Sequence, residues 1–299
     1  MGRPASIILA AVLAASTVIS AQAKDSSELV GRYREILGSV QPVEEDAHSL
    51  TPDQKRRLMT LTSIFENGEP KFHYDYIEYL DDGRGFTAGR VGFSTGTQDL
   101  YEVVKLYDGL KPGNPLHRYL PRLAELADIS KHSQESHIVD DISGLEGFVD
   151  AWKTVGSSPE MIRAQEQVID RMYYLPAMAM ARLLGVKLPF GKAILYDTLV
   201  MHGSWIDDPD TIEWMILKTI ERTGFVPLDH PDRESKWLKA FLEVRHEVLL
   251  NAHDPETRAQ WRENEKRATD LMTILRKKTF DQLGPQTKFR SWYYKGKIE

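Results

Sequence analysis

The chain contains no cysteine among its 299 residues. This absence excludes disulfides, thiol nucleophiles and metal sites built on cysteine ligands. No internal period of about 20 to 50 residues recurs, which argues against a repeat array. The chain is 41% hydrophobic and long enough for a sizeable core. Its length therefore predicts one large domain or two lobes.

The chain has no excess of positive charge. The 38 Lys and Arg residues are outnumbered by 44 Asp and Glu residues, which gives a formal net charge of -6. Because phosphate binding needs a basic surface, nucleic acid is not expected as a partner. An acidic protein can attract a cationic ligand, although mild acidity also serves solubility alone.

Long apolar runs are missing after the N-terminus. Residues 1–23 contain Arg3, an apolar run from Ile7 to Ile19, and the small-residue sequence Ala21-Gln22-Ala23. This pattern predicts a secretory signal peptide over residues 1–23. An uncleaved anchor is the alternative, but the run is shorter than the ~20 residues of a membrane span. We expect residues 24–299 to be exported, either extracellular or periplasmic, as a monomer without a membrane partner.

Helical patterns dominate the rest of the chain. Leu58, Leu61 and Phe65 fall on one helix face, which Asn67-Gly68 ends. Alternation over 72–80 predicts one strand of a small sheet. Residues 86–93 are a second strand candidate, which Gly89 and Gly92 weaken. The predicted class is α+β, mostly helical, with the sheet in the N-terminal third. Other helices are predicted at 29–37, 98–110, 116–127, 159–184 with a kink at Pro176, 194–202, 209–222, 236–251 and 255–280, with a polar loop over 128–143.

Two carboxylates in this region suggest acid–base chemistry. Glu66 ends an apolar helix, where the helix dipole and apolar neighbours disfavour its charged form, as a general acid requires. Asp82 precedes Gly83-Arg84-Gly85, and Arg84 can keep it ionised. Each has an ordinary explanation, namely an exposed glutamate at a helix end and an Asp-Gly turn. Facing carboxylates ~6.5 to 9.5 Å apart would suit an inverting glycosidase.

Three stretches of the sequence carry a family resemblance: LTSIFENG, YDYIEYLDDGRGFTAGRVGFSTGTQDL and AILYDTLVMHG. Together they resemble the chitosanases of glycoside hydrolase family 46, in order from about residue 55 to 290. The resemblance implies two largely helical lobes with a small antiparallel sheet, a lysozyme-like shape and a cleft between the lobes. It also implies endo-hydrolysis of β-1,4-linked glucosamine polymer with inversion, chitosan as the partner, and no metal or organic cofactor.

The same resemblance implies roles for individual residues. Glu66 matches the general acid, Asp82 the base that activates water, and Thr87 the residue that helps to hold that water. Asp81 is the alternative to Asp82, which is preferred because it directly precedes Gly-Arg-Gly. A supporting charge network behind the acid is implied for Asp197, Arg245 and Arg258, although each arginine would also suit a salt bridge on a helix surface.

Substrate contacts follow in the same way. The residues implied are Tyr76, Glu78, Arg84, Asp99 and His202. Carboxylates suit the cationic amines of chitosan because they accept charge-assisted hydrogen bonds. His202 could instead be a core histidine, since it follows the apolar Leu-Val-Met run. Tyr74, Tyr76, Tyr79 and Phe86 suit either a sugar-facing surface or the strand core.

Two other functions are compatible with these patterns. One is a lysozyme- or chitinase-like hydrolase of N-acetylated polysaccharide. The other is a polysaccharide-binding protein without catalysis, which would need aromatic platforms but no acid–base pair.

Overall fold

The computed structural model describes residues 26–40, 50–132, 140–253, 255–278 and 280–299. The predicted signal peptide over residues 1–23 lies outside these ranges. Within them, no helix combines the length and apolarity that crossing a membrane requires.

Helices make up most of the described chain, as the sequence predicts. In chain order they are α1 (Ser26–Leu37), α2 (Pro52–Asn67), α3 (Asp99–Leu110), α4 (Leu120–His132), α5 (Phe148–Val155), α6 (Pro159–Ile169), α7 (Leu175–Leu184), α8 (Pro189–His202), α9 (Ile212–Thr223), α10 (Glu234–Asn251), α11 (Pro255–Glu263) and α12 (Glu265–Lys277). Short 3₁₀ helices cover His117–Tyr119 and Pro231–Arg233.

Two small antiparallel sheets accompany the helices. The first contains β1 (Ile77–Tyr79), β2 (Phe86–Ala88) and β3 (Phe93–Ser94) in that spatial order. The second pairs β4 (Gln286–Arg290) with β5 (Lys295–Ile298). The class is therefore α+β and mostly helical, as predicted, although the second sheet was not anticipated from the sequence.

The chain divides into two compact units. Unit one comprises the described residues up to Lys71 together with Tyr173–Glu299, and unit two comprises Phe72–Met172. The first sheet lies in unit two, and the second sheet lies in unit one. The single catalytic domain over 24–299 and the cleft between its lobes stay predictions.

Unit one buries α8 on nearly all sides. Its residues from Phe190 to Leu199 are buried, including Asp197 and Lys192. A helix that is apolar all round is expected in a core. The predicted buried helix over 194–202 is thus confirmed, and it begins earlier, at Pro189, because proline suits the first turn of a helix.

Local capping signals position α2, which carries Glu66. The Thr51 hydroxyl accepts a hydrogen bond from the Gln54 N–H at 3.2 Å, and the Gln54 side chain accepts one from the Thr51 N–H at 3.0 Å. This reciprocal pair is a capping box. Gly68 ends the helix with φ 72°, a left-handed conformation that favours glycine. Glu66 therefore lies in the last turn, as the sequence predicts.

Unit two corrects the predicted strand over 86–93. That segment forms β2 and β3, because Gly89 and Gly92 adopt positive φ values of 72° and 77° and reverse the chain between them. A Cβ at Gly89 would lie 2.5 Å from the Gln165 Oε1 atom. The Phe93 Cδ2 atom would lie 3.0 Å from it. These contacts and the left-handed φ both favour glycine at this turn.

The helix predicted over 159–184 is also interrupted. Its start is confirmed, since the Ser158 hydroxyl accepts a hydrogen bond from the Met161 N–H at 3.4 Å. A π-helical segment over Asp170–Tyr174 then separates α6 from α7. Pro176 lies in the first turn of α7, directly after this π-helical segment. Because π-helical turns and prolines both accompany bends in helices, the kink at Pro176 stays a prediction.

Other boundaries differ from the prediction as well. The loop predicted over 128–143 is helical up to residue 132, and residues 133–139 lie outside the described ranges. The helix predicted over 255–280 is divided at Asn264 into α11 and α12. The helix predicted from residue 209 begins at Ile212. The residues before it form a turn, in which the Asp210 N–H donates to the Asp208 Oδ1 atom at 2.9 Å. Helix α5 was missed.

A glycine substitution tests the packing of α7. Gly185 has φ 75°, and a Cβ there would lie 2.3 Å from the Leu228 Cα atom. We expect Gly185→Ala to lower the free energy of unfolding by at least ~1–2 kcal/mol, from left-handed strain and backbone overlap. Urea unfolding measures this change. Gly31→Ala is the control, because that helical glycine has no neighbour within 4 Å and alanine should stabilise it by ~0.5–1 kcal/mol. Equal effects at both sites would contradict the packing argument.

Candidate active site

Glu66 is anchored in unit one by an arginine from a distant helix. The Nη1 atom of Arg267, on α12, lies 2.5 Å from the Glu66 Oε1 atom. The Glu66 side chain is 41% exposed, whereas that of Arg267 is 2% exposed. The carboxylate thus lies at the surface and is held from within.

Asp197 lies at the centre of the charges behind Glu66. Its side chain has no exposed surface. It accepts hydrogen bonds from Arg267 Nε at 3.0 Å and Nη2 at 2.8 Å, and from Arg245 Nη1 at 2.7 Å. The Thr62 hydroxyl, one turn before Glu66 on α2, donates a fourth at 3.1 Å. These bonds join α2, α8, α10 and α12 around one carboxylate.

The two guanidiniums determine the ionisation of Asp197. Burial alone would raise the pKa of its carboxyl, but Arg267 and Arg245 outweigh burial and lower that pKa to about 2. Burial lowers the pKa of both arginines. For Arg267, Asp197 and Glu66 reverse this effect and the pKa is raised, whereas for Arg245 burial prevails and the pKa falls below its ordinary value.

His202 joins the same cluster from the end of α8. Its Nε2 atom accepts a hydrogen bond from Arg245 Nε at 3.3 Å, and its ring meets Trp261 edge-on at 4.4 Å between centroids. Burial, then the charges of Arg245 and Arg267, hold its pKa well below 6.5, so the imidazole is neutral. Its burial favours the core-histidine alternative. The substrate contact stays a prediction.

The structure corrects one member of the predicted network. Arg258 lies on α11 and donates to the backbone oxygens of Ala252 at 2.6 Å and His253 at 3.1 Å. The arginine that binds Asp197 and Glu66, the place predicted for Arg258, is Arg267. No local signal separates the two arginines, because each follows a helix start and the partner that distinguishes them is 201 residues away.

Asp82 carries its own arginine in unit two. Arg84 donates to the Asp82 Oδ2 atom through Nε at 3.0 Å and Nη2 at 2.6 Å, and its backbone N–H donates to Oδ1 at 3.2 Å. Partial burial raises the pKa of Asp82, but the Arg84 side chain and backbone N–H outweigh it and lower the pKa overall. Asp82 is therefore held ionised, as predicted from the Asp-Gly-Arg-Gly sequence.

The neighbouring Asp81 has different surroundings. It has φ 54°, an uncommon conformation for a residue other than glycine. Its carboxylate accepts a hydrogen bond from the Tyr79 hydroxyl at 3.3 Å. Of the two aspartates, Asp82 is thus the one with a guanidinium partner.

Thr87 is held in the middle strand of the first sheet. It pairs with Glu78 of β1 on one side and with Ser94 of β3 on the other. Its side chain is 6% exposed, and its Oγ1 atom is buried without a protein hydrogen-bond partner. Buried hydroxyls usually have partners, and the role of Thr87 in holding water stays a prediction.

The remaining predicted contacts also lie in unit two. The Tyr76 hydroxyl donates to Glu78 Oε2 at 3.0 Å, which joins two of them into one polar pair at the exposed edge of the sheet. Asp99 starts α3 and is partly buried. Its Oδ1 atom accepts the N–H groups of Ser94 at 3.0 Å and Leu100 at 2.8 Å and the Thr97 hydroxyl. Burial raises the pKa of Asp99, and these donors oppose that rise.

These findings identify the family. The family model described as "Glycosyl hydrolase family 46" matches residues 60–285 of the sequence. A chitosanase of Bacillus subtilis (strain 168) is 44% identical over 239 residues, which cover 80% of this chain and 83% of that protein. A chitosanase of a Streptomyces species is 33% identical over 246 residues, or 81% and 80% of the two chains. The chain belongs to glycosyl hydrolase family 46 and is a glycoside hydrolase.

Solved structures agree with this membership. A mutant chitosanase from Bacillus subtilis MY002, complexed with 6 GlcN, is 41% identical with a TM-score of 0.73, over 84% of this chain and 100% of that chain. A family 46 chitosanase of Gynuella sunshinyii with chitotetraose is 35% identical, also with a TM-score of 0.73, over 84% and 99% of the two chains. The fold is therefore the chitosanase fold, as predicted.

The buried charges make stability dependent on pH. Because the pKa of Asp197 falls from 3.8 to about 2 on folding, its contribution is full above pH 3.8 and is lost as pH falls through about 2. We expect Asp197→Asn to cost ~3–5 kcal/mol at neutral pH, since two buried arginines lose their counter-charge. The difference from the unsubstituted protein in urea unfolding should shrink between pH 4 and about pH 2.

Asp232→Asn is the matched control, because that side chain is 79% exposed. It should change the free energy of unfolding by at most ~1 kcal/mol at any pH. A deficit in Asp197→Asn that is the same at low and neutral pH would contradict the ionised, buried state of Asp197.

Proposed function

We propose that the chain is an endo-acting chitosanase that cleaves β-1,4 linkages between glucosamine units with inversion at the anomeric carbon. The observation that carries this proposal is the pair of carboxylates, each held by its own arginine. Glu66 is held by Arg267, and Asp82 is held by Arg84. Family membership and the chitosanase relatives support the choice of chitosan as substrate.

In this mechanism Glu66 acts as the general acid. Its carboxyl proton passes to the glycosidic oxygen as the bond from the anomeric carbon to that oxygen breaks. Its exposure of 41% leaves it accessible to a polymer, and Arg267 fixes its direction. General acids of this kind contribute a rate factor of about 10² to 10⁴.

Asp82 acts as the general base. Its ionised carboxylate takes a proton from water, whose oxygen forms the new bond to the anomeric carbon. Thr87, in the strand next to the Asp82 turn, helps to hold that water. Because the water attacks on the side opposite to the leaving oxygen, a β linkage yields an α product.

The charge of the polymer explains the remaining contacts. Protonated amines of glucosamine are met by carboxylates, of which Glu78 is exposed beside Tyr76. The hydrogen bonds to Asp99 converge on Oδ1, which leaves Oδ2 for a substrate amine. The net charge of -6 attracts the same cationic chain over a longer range.

Export belongs to the same proposal. Residues 1–23 have the basic start, apolar run and small-residue site of a signal peptide. An enzyme that degrades a large polymer must meet it outside the cytoplasm, which supports this reading of the N-terminus.

Two amide substitutions test the roles of the carboxylates. Glu66→Gln removes the acid proton and Asp82→Asn removes the base, while both keep the shape of the side chain. We expect each to lower kcat on highly deacetylated chitosan by at least about 10²-fold, with circular dichroism and thermal unfolding little changed. Glu69→Gln, an exchange at a glutamate just beyond α2, is the control and should keep full activity. Retained activity in either test variant would contradict the assigned role.

The stereochemistry of the first product tests the mechanism directly. Proton NMR of the anomeric signals should show α product before mutarotation sets in. Early β product would mean a retaining mechanism and a different role for Asp82. Cleavage of fully acetylated polymer in place of chitosan would favour the lysozyme- or chitinase-like alternative.

The pH profile tests the pairing of Asp82 with Arg84. The base must be ionised, and Arg84 lowers the pKa of Asp82. We expect Arg84→Ala to raise that pKa, so the acidic limb of kcat/KM against pH moves to higher pH. Arg163→Ala, at an exposed position of α6, should leave the limb in place. A uniform loss of activity without a shifted limb would show that Arg84 does not set the ionisation of Asp82.

A further inference from the structure

The turn between β4 and β5 presents a tryptophan to solvent. Trp292 is 72% exposed, the highest value among the large hydrophobic side chains of the described residues. The family match ends at residue 285, before this hairpin. Neither the acid–base chemistry nor the core of unit one uses the ring.

The turn that carries Trp292 is held rigid. The Ser291 N–H donates to the Tyr294 backbone carbonyl oxygen at 2.9 Å, and the Tyr294 N–H donates to the Ser291 hydroxyl at 3.0 Å. The backbone N–H of Trp292 donates to the Asp270 carboxylate at 2.5 Å. Lys266 Nζ lies 5.9 Å from the Trp292 ring centroid. With its backbone fixed and only two side-chain torsions, tryptophan offers a large contact area at a low cost in conformational entropy.

The elements that hold this turn also hold Glu66. Asp270 follows Arg267 by three residues on α12, so the two side chains lie on the same face of the helix. One of them binds the Trp292 backbone, and the other binds the Glu66 carboxylate.

A second connection runs through aromatic rings. Tyr293, next to Trp292, meets Phe65 edge-on with centroids 5.5 Å apart. Phe65 directly precedes Glu66 on α2, and the Arg267 guanidinium lies 5.4 Å from the Phe65 ring centroid. Two separate sets of contacts therefore place the Trp292 turn in the immediate surroundings of the acid, all within unit one.

We propose that Trp292 is a binding platform for one pyranose ring of the polymer, in a subsite on the Glu66 side of the scissile bond. The inference rests on the proposed function. In β-linked glucosamine the ring substituents are equatorial, so the axial C–H groups give each sugar two apolar faces that can stack on an indole. A protonated amine at the ring edge adds attraction to the π system.

The test compares steady-state kinetics on long, highly deacetylated chitosan and on the shortest glucosamine oligomers that are cleaved. Trp292→Ala should raise KM on the polymer about two- to tenfold, as expected for the loss of one aromatic stacking contact, with kcat nearly unchanged. The increase should be smaller on the short oligomers. Trp292→Phe, which keeps an aromatic ring, should recover most of the affinity.

The control lies on the same hairpin. Lys297 is exposed on β5, and Lys297→Ala should leave KM within about twofold, since stacking requires an aromatic ring. Thermal unfolding of all three variants verifies that the hairpin is intact. An unchanged KM for Trp292→Ala, or an equal change for Lys297→Ala, would overturn the platform.

A binding measurement separates this inference from the proposed function. Calorimetric titration of chitosan into Asp82→Asn, with and without Trp292→Ala, reports affinity without turnover. Equal affinities overturn the platform. A several-fold loss of affinity supports it, even if the unsubstituted protein proved unable to hydrolyse chitosan, a result that would overturn only the proposed function.

Discussion

The buried ion cluster around Asp197 is the interaction on which the rest of unit one depends. Burying a charge is costly unless it is paired, and here two guanidiniums and one carboxylate are almost fully buried. Arg267 of this cluster also donates to the Glu66 carboxyl group. Glu66 is thus tied to the buried charges although its own side chain is at the surface. Four helices must be in place before the charge of Asp197 is paired.

In unit two the charge of Asp82 is paired by a residue close to it in the sequence. Asp82 and Arg84 are two residues apart, and the turn between β1 and β2 brings them together without help from a distant helix. The antiparallel register then places Thr87 in the middle strand beside Glu78. Close approach at the turn is needed as well, because a Cβ at Gly85 would lie 2.3 Å from the Thr95 hydroxyl. The two carboxylates therefore rest on different kinds of support.

This difference explains which features could be predicted from the sequence. The end of α2 at Asn67-Gly68 and the Asp82 turn depend on residues a few positions apart, and both were predicted. The partner of Glu66 was not, because Arg267 and Arg258 have similar local contexts and Arg267 is selected by contacts 70 and 201 residues away. The β4–β5 hairpin was missed for a similar reason, since its short strands are stabilised by packing of Phe289 and Ile298 into unit one.

The state of His202 has a consequence for enzymology. A histidine near neutral pH is usually the first group considered when a rate profile bends between pH 6 and 7. Here the imidazole is enclosed, accepts a hydrogen bond from Arg245 and remains uncharged far below that range. A kinetic ionisation seen in that interval therefore cannot be assigned to His202, and must instead be sought in another group of the enzyme or in the amines of the substrate itself.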